Sequence, residues 1–136
     1  SGSLGTKLKT VEDLMLTKNK IPFIDENSSM KKALNIITLK KLGTLIAIDR
    51  KKRTTGIITD GQIRRMNIQN KNLHTLKVKD VMTKNPIKVD KETLAVKALS
   101  IMNENKITSL CVNSGSNKHR TVGIIHIHNI IQNTIN

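Results

Sequence analysis

Two four-residue stretches hold most of the side chains that could do chemistry, and each follows the same phrase. Gly56-Ile57-Ile58 leads into Thr59-Asp60-Gly61-Gln62, and Gly123-Ile124-Ile125 leads into His126-Ile127-His128-Asn129. The first set offers a hydroxyl, a carboxylate and an amide, with Arg64 and Arg65 following, a combination suited to an anion. In the second, His126 and His128 alternate around Ile127, so in an extended segment both rings would face one way. Such a pair can donate to a phosphate or carboxylate, or titrate near neutral pH. Plainer roles stand beside these. Thr59 can be a locally bonded strand-end hydroxyl, Asp60 a helix N-cap, the arginines a solvated face, and the histidines structural residues.

Other chemistries lack their parts. A metal site would need ligands converging on the histidines from elsewhere, and the lone Cys111 lies in a separate apolar run, Leu110-Cys111-Val112. That run reads as a buried strand, with nothing basic close enough to activate the thiol. His74 and His119 fall in polar loops and receive no role. There is no Ser/His/Asp set, no carboxylate pair in an apolar setting and no Walker-type glycine loop, so no catalytic residue is nominated.

The elements that position these stretches come from an internal repeat. Val11-Glu12-Asp13-Leu14-Met15 returns as Val78-Lys79-Asp80-Val81-Met82, and both this pair and the Gly-Ile-Ile pair are 67 positions apart (11 to 78, 56 to 123). A repeat of this length means two copies of one supersecondary unit, each too small to close a core alone, with a site expected in the groove between them. In the first copy, Ser28 or Ser29 can cap a helix carrying Met30, Ala33, Leu34 and Ile37, and Gly43 can stop it. Thr44 to Ile48 reads as a strand, Asp49-Arg50-Lys51-Lys52-Arg53 as a hairpin tip, solvated in preference to a dedicated anion site, and Gly56 to Thr59 as the return strand before a short helix through Ile63 to Met66. The second copy repeats this with a helix over Val78 to Met82 and an extended Pro86 to Val89. A helix bearing Leu94, Ala98, Ile101 and Met102 follows, then strands at Ser109 to Val112 and Val122 to His126, and a closing helix around Asn129 to Gln132. In the middle the register slips to 65, with Thr44 matching Ser109. Each half reads helix–strand–helix–strand–strand–helix, an α/β (α+β) unit with a small mixed sheet.

Composition agrees. Of 136 residues, 37% are apolar but only one is aromatic, so the core must be Ile, Leu, Val, Met and Ala. No apolar run approaches the roughly 20 residues of a membrane span, and no secretory leader opens the chain. One cysteine rules out an internal disulfide and fits a reducing cytoplasm. The net charge of +14 invites a nucleic-acid reading. Scattered lysines and the lack of stacking aromatics make that the least favoured one.

This arrangement resembles a tandem pair of CBS domains (the cystathionine-β-synthase repeat), or Bateman module. In the first copy the likeness rests on Asp13-Leu14-Met15 with Ile21-Pro22, on Leu42-Gly43-Thr44-Leu45-Ile46, and on Gly56 through Gly61. In the second it rests on Asp80-Val81-Met82-Thr83, Asn85-Pro86-Ile87, Ile107-Thr108-Ser109-Leu110 and Gly123-Ile124-Ile125. It implies repeats at residues 11–69 and 78–136, a joint at 70–77, and two small mixed sheets flanked by helices and related by pseudo-two-fold symmetry. A narrower likeness, carried by Thr59 to Arg65, Ile107-Thr108-Ser109 and His126-Ile127-His128, is to the regulatory tail of D-arabinose-5-phosphate isomerases. Gly2 to Leu8 is similar to the segment that joins that family's sugar-isomerase domain to its CBS pair, so residues 1–10 are expected to be a linker from such a domain. The resemblance further implies a homodimer and a parent enzyme that interconverts D-ribulose 5-phosphate and D-arabinose 5-phosphate. That reaction opens the route to Kdo and lipopolysaccharide.

In CBS pairs, ligands enter clefts between the repeats, and a phrase of the form Gly-apolar-x-Thr/Ser-x-x-Asp supplies a hydroxyl near phosphate and a carboxylate for the ribose. A vicinal diol presents two donors, and one carboxylate accepts both. Here Gln62 and Asn129 stand at the two acid positions, which argues against ordinary adenosine clamping. The resemblance therefore implies a ligand set of Thr44, Thr59, Asp60, Gln62, Arg64 and Arg65, together with Ser109, His126, His128 and Asn129. The implied effector is CMP-Kdo or another nucleotide such as AMP or ATP, with no cofactor required. The competing reading is a structural dimerisation module with an emptied site. One asymmetric site or none is expected, not two equal ones.

Overall fold

The computed structural model describes residues 8–40, 42–68 and 72–135, so the expected linker and joint lie partly outside it. In chain order the elements are α1 (Val11–Leu14), β1 (Phe23–Asp25), α2 (Met30–Lys40), β2 (Thr44–Ile48), β3 (Thr54–Thr59) and α3 (Asp60–Ile68). They continue as α4 (Val78–Val81), β4 (Thr83–Lys84), β5 (Lys88–Asp90), α5 (Ala95–Asn105), β6 (Ser109–Asn113), β7 (Gly123–His126) and α6 (Ile127–Ile135). This is the mixed α/β order read from the sequence, with the extra short strand β4.

The compact units cut across the sequence repeat. The first unit is Pro22–Pro86; the second takes the chain up to Ile21 together with the chain from Ile87 onward. Each opening helix thus serves the other copy. In the second unit the Val11 and Glu12 N–H groups donate to the Thr93 and Lys91 carbonyls at 2.7 and 3.0 Å. In the first, the Val78 and Lys79 N–H groups donate to the Ser28 and Glu26 carbonyls at 2.8 and 2.9 Å. These bonds satisfy helix-end donors that a four-residue helix cannot satisfy itself.

The first unit's sheet has the order β1-β2-β3-β4, parallel between β1 and β2 and antiparallel thereafter. The second unit's sheet is β5-β6-β7, again parallel then antiparallel, with Leu16 bridging to Ile124 at its edge. Strand alternation sends Leu45, Ala47 and Ile58 into one aliphatic core and Leu110, Val112 and Ile125 into the other. Met30 and Met102 are completely buried there, and each such side chain contributes about 1.5–3 kcal/mol. The alternate residues Thr44 and Ser109 lie on the opposite face, at a sheet end.

Two glycines explain the repeated phrase. A Cβ on Gly56 would come 2.6 Å from Met82 Sδ and 2.9 Å from the Thr83 carbonyl, and one on Gly123 would overlap Met15 and come 3.1 Å from the Leu16 carbonyl. The two motifs that share the 67-residue register are therefore contact partners, crosswise. Helix starts are set locally. Ser29 Oγ accepts the Lys32 N–H at 3.1 Å and caps α2, as the sequence suggested. Leu94 departs from expectation: it sits at the N-cap of α5 and is 46% exposed, outside the helix's buried stripe.

Candidate functional site

The residues singled out by type gather at two equivalent sheet ends, one in each unit. In the first unit Thr44 pairs directly with Thr59 across β2 and β3, so their side chains share a face. Thr59 Oγ1 accepts the Gln62 N–H at 3.2 Å and so caps α3. This corrects the N-cap role expected for Asp60, which is already the first helical residue. Its N–H donates to the Gly43 carbonyl at 2.9 Å, and its carboxylate lies over Gly43, where a Cβ would come 3.2 Å away. Gly43 holds φ +69°, which a glycine adopts without strain.

Asp60 and Arg64 are 3.5 Å apart, with 58% and 72% of their side chains exposed, so the pair is worth little to stability. A Cβ on Gly61 would come 3.5 Å from Arg65 Nη1 and 3.7 Å from Arg64 Nη2, so both guanidinium groups fold back over the first turn of α3. Together with the helix N-terminus they make that corner positive. Gln62 is drawn toward α4, where its Nε2 donates to the Val81 carbonyl.

In the second unit Ser109 pairs with His126 across β6 and β7. Ser109 Oγ is buried and, among the described residues, has no hydrogen-bond partner. The strand ends at His126 and α6 begins at Ile127, so the histidines do not alternate along one extended segment as expected. The helical turn brings His128 back instead, and the two rings stack with centroids 4.8 Å apart and planes at 22°. His128 N–H donates to His126 Nδ1 at 3.1 Å, while Asn129 Oδ1 accepts the His126 N–H at 2.8 Å. The two bonds form a reciprocal capping box with an imidazole in place of the usual hydroxyl.

Because Nδ1 accepts, a neutral His126 carries its proton on Nε2, a donor free of the cap. Burial, and secondarily the neighbouring His128, hold His126 below its ordinary 6.5 and favour that neutral form. Burial pushes the Cys111 thiol up to about 11, so it stays protonated, in keeping with its place inside β6.

Thr44, Thr59, Asp60, Arg64 and Arg65 thus converge, as do Ser109, His126 and His128, while Gln62 and Asn129 turn to backbone partners. Gly43, expected to stop a helix, also makes room for the Asp60 carboxylate. Its position directly before Thr44 was the available signal. Among the described residues no group of three or more His, Cys, Asp or Glu could hold a metal ion, and no helix is long and apolar enough to cross a membrane.

Comparison with known proteins places this geometry. The sequence model described as "CBS domain" matches residues 11–67 and 78–135. The chain is 37% identical over 132 residues to arabinose 5-phosphate isomerase KdsD of Yersinia pestis, and 36% identical to that of Escherichia coli K12. The aligned region is 96% of this chain and 39% of each relative, so the chain spans about two-fifths of the curated proteins it matches. Among solved structures, CBSX2 in complex with AMP superposes with a TM-score of 0.81 at 23% identity, covering 93% of this chain and 96% of that one. The CBS domain of a bacterial CNNM/CorC family Mg2+ transporter in complex with ATP gives a TM-score of 0.77 at 11% identity, covering 98% and 92%. At these identities the structures speak for the fold.

Proposed function

The chain belongs to the CBS-domain family, of which it carries two copies, and we propose that the pair is the regulatory, ligand-binding region of an arabinose-5-phosphate isomerase. Its effector is a small anionic nucleotide, CMP-Kdo foremost, taken at the sheet end that holds Ser109, His126 and His128. The observation that carries this reading is the Ser109 hydroxyl, unpartnered among the described residues, opposite the stacked histidines. A buried hydroxyl left unbonded costs about 1–3 kcal/mol, and a bound ligand would recover it. The surrounding donors suit a carboxylate or phosphate. The positions that would hold a ribose diol are amides bonded internally, Gln62 to the Val81 carbonyl and Asn129 to the His126 N–H.

The KdsD relatives supply the isomerase context, and AMP and ATP in the neighbouring complexes make adenine nucleotides the natural competitors. The rest of the proposal is a cytoplasmic enzyme of Kdo and lipopolysaccharide synthesis, with an N-terminal isomerase domain and a homodimer formed through CBS pairs. Isothermal titration with CMP-Kdo, AMP and ATP tests it. The expected result is saturable binding of CMP-Kdo at least about tenfold tighter than either adenine nucleotide, a difference of about 1.4 kcal/mol. No heat and no thermal shift with any of the three at millimolar concentration would leave a dimerisation module with an empty site.

A further inference from the structure

The charged turn between β2 and β3 is more tightly built than a solvated tip requires. Asp49 accepts from the Lys51 N–H at 2.9 Å, the Arg53 N–H at 2.9 Å and Arg53 Nε at 2.8 Å. The Lys52 N–H closes back on the Asp49 carbonyl at 2.9 Å, and Lys52 itself takes a left-handed φ of 63°. The Arg53 backbone bond leads the causes that hold the Asp49 carboxyl below its ordinary range, so it is ionised and bound within the turn at neutral pH.

Beside this turn lies an open groove of about 530 Å³, reached from three separate segments of the first unit. The turn contributes Arg50, Lys51 and Arg53, the loop after β1 contributes Glu26, and α4 contributes Lys79. The backbone bond from Lys79 N–H to the Glu26 carbonyl fixes two of those segments together. With Asp49 counted, the lining carries four cations and two carboxylates, a formal surplus of two positive charges. Like charges gathered around one hollow repel, and a multivalent anion would relieve that. No aromatic or aliphatic residue lines it to hold a base, and the volume suits a compact ligand.

We propose that this groove is a second anion site for a small molecule bearing two or more phosphate groups, separate from the sheet-end site. It lies at the other end of the ladder. Thr44 pairs with Thr59 at one end and Ile48 with Thr54 at the other, a strand length of roughly 13 Å. The second unit's connection between β6 and β7 is built differently: Ser114 to Asn117 are uncharged and close on themselves through a Ser114–Asn117 bridge, and Lys118 and Arg120 follow only after it.

Titration of the chain with inorganic tripolyphosphate at fixed ionic strength, followed by backbone amide NMR shifts, tests this site. Saturable shifts at Asn27, Arg50 to Arg53 and Lys79 are expected. The double variant Arg50→Gln/Lys79→Gln should raise Kd at least about tenfold. Thr59→Ala and His126→Asn should leave it unchanged. Three outcomes would overturn the proposal: an equal response to sodium chloride at matched ionic strength, undiminished affinity in the double variant, or loss of binding in the sheet-end variants.

Discussion

At the end of β3 the helix cap is Thr59 Oγ1, which receives the Gln62 N–H at 3.2 Å; at the end of β7 it is His126 Nδ1, which receives the His128 N–H at 3.1 Å. The backbone beneath is shared. The first helical N–H donates to the Gly43 carbonyl at 2.9 Å in one unit and to the Thr108 carbonyl at 2.8 Å in the other. A methionine covers the strand glycine in both. What differs is the fate of the third-position amide. Gln62 reaches across to α4, whereas Asn129 folds back to its own cap. The frame is held by backbone bonds and glycine packing, which leaves the capping side chains free to diverge in chemistry.

The largest effect should come from breaking the shared part. Gly56→Ala and Gly123→Ala each press a methyl group on a methionine and a backbone carbonyl, and each should cost about 1–3 kcal/mol in urea denaturation. Met15→Ala should recover part of the loss in Gly123→Ala and none in Gly56→Ala. Rescue of the wrong glycine would contradict the crosswise pairing.

The two amides sharpen the contrast, because the same change should act unequally. Gln62→Glu replaces the donor to the Val81 carbonyl by a carboxylate and should cost about 1–3 kcal/mol. Asn129→Asp keeps an acceptor for the His126 N–H at a helix N-terminus and should be neutral or gain up to about 1 kcal/mol. Equal losses in urea midpoints would show that the caps are not built differently. A smaller effect is expected at Ser109. Ser109→Ala deletes a hydroxyl with no partner among the described residues, so the free chain should lose no stability while effector binding weakens by about 0.5–1.5 kcal/mol.

Much of this was legible in the sequence, for identifiable reasons. The 67-residue repeat and strand alternation placed β2, β3, β6 and β7, and Ser29 announced the start of α2. The sequence could not reveal that the opening helix of each copy packs in the other unit, because similarity between copies does not say which copy touches which. It also misplaced the caps. Asp60 and Thr59 are both good capping residues, and only the point where β3 stops decides between them. His126 as a cap was not anticipated, since imidazoles rarely fill that role. The turn at Asp49–Arg53 read as a solvated tip because hydrogen bonds between side chain and backbone within it leave no periodic trace.

The smallest expected effect is on pH dependence. His126 has a folded-state value held below its ordinary 6.5, so the unfolded chain binds the proton more readily. The associated stability is complete above about pH 6.5 and is lost as pH falls through the lower folded value. Urea midpoints should therefore drop on acidification from pH 7.5 to 5.5, and His126→Gln should flatten that part of the slope.

The two sheet ends are chemically unequal, and the stoichiometry of CMP-Kdo binding is where that inequality should show. Calorimetry should give one equivalent per chain, lost in His126→Asn, which keeps a capping acceptor, and retained in Thr59→Ala. Two equal equivalents per chain, or loss in Thr59→Ala with His126→Asn unaffected, would mean that the two ends are equivalent or their roles reversed.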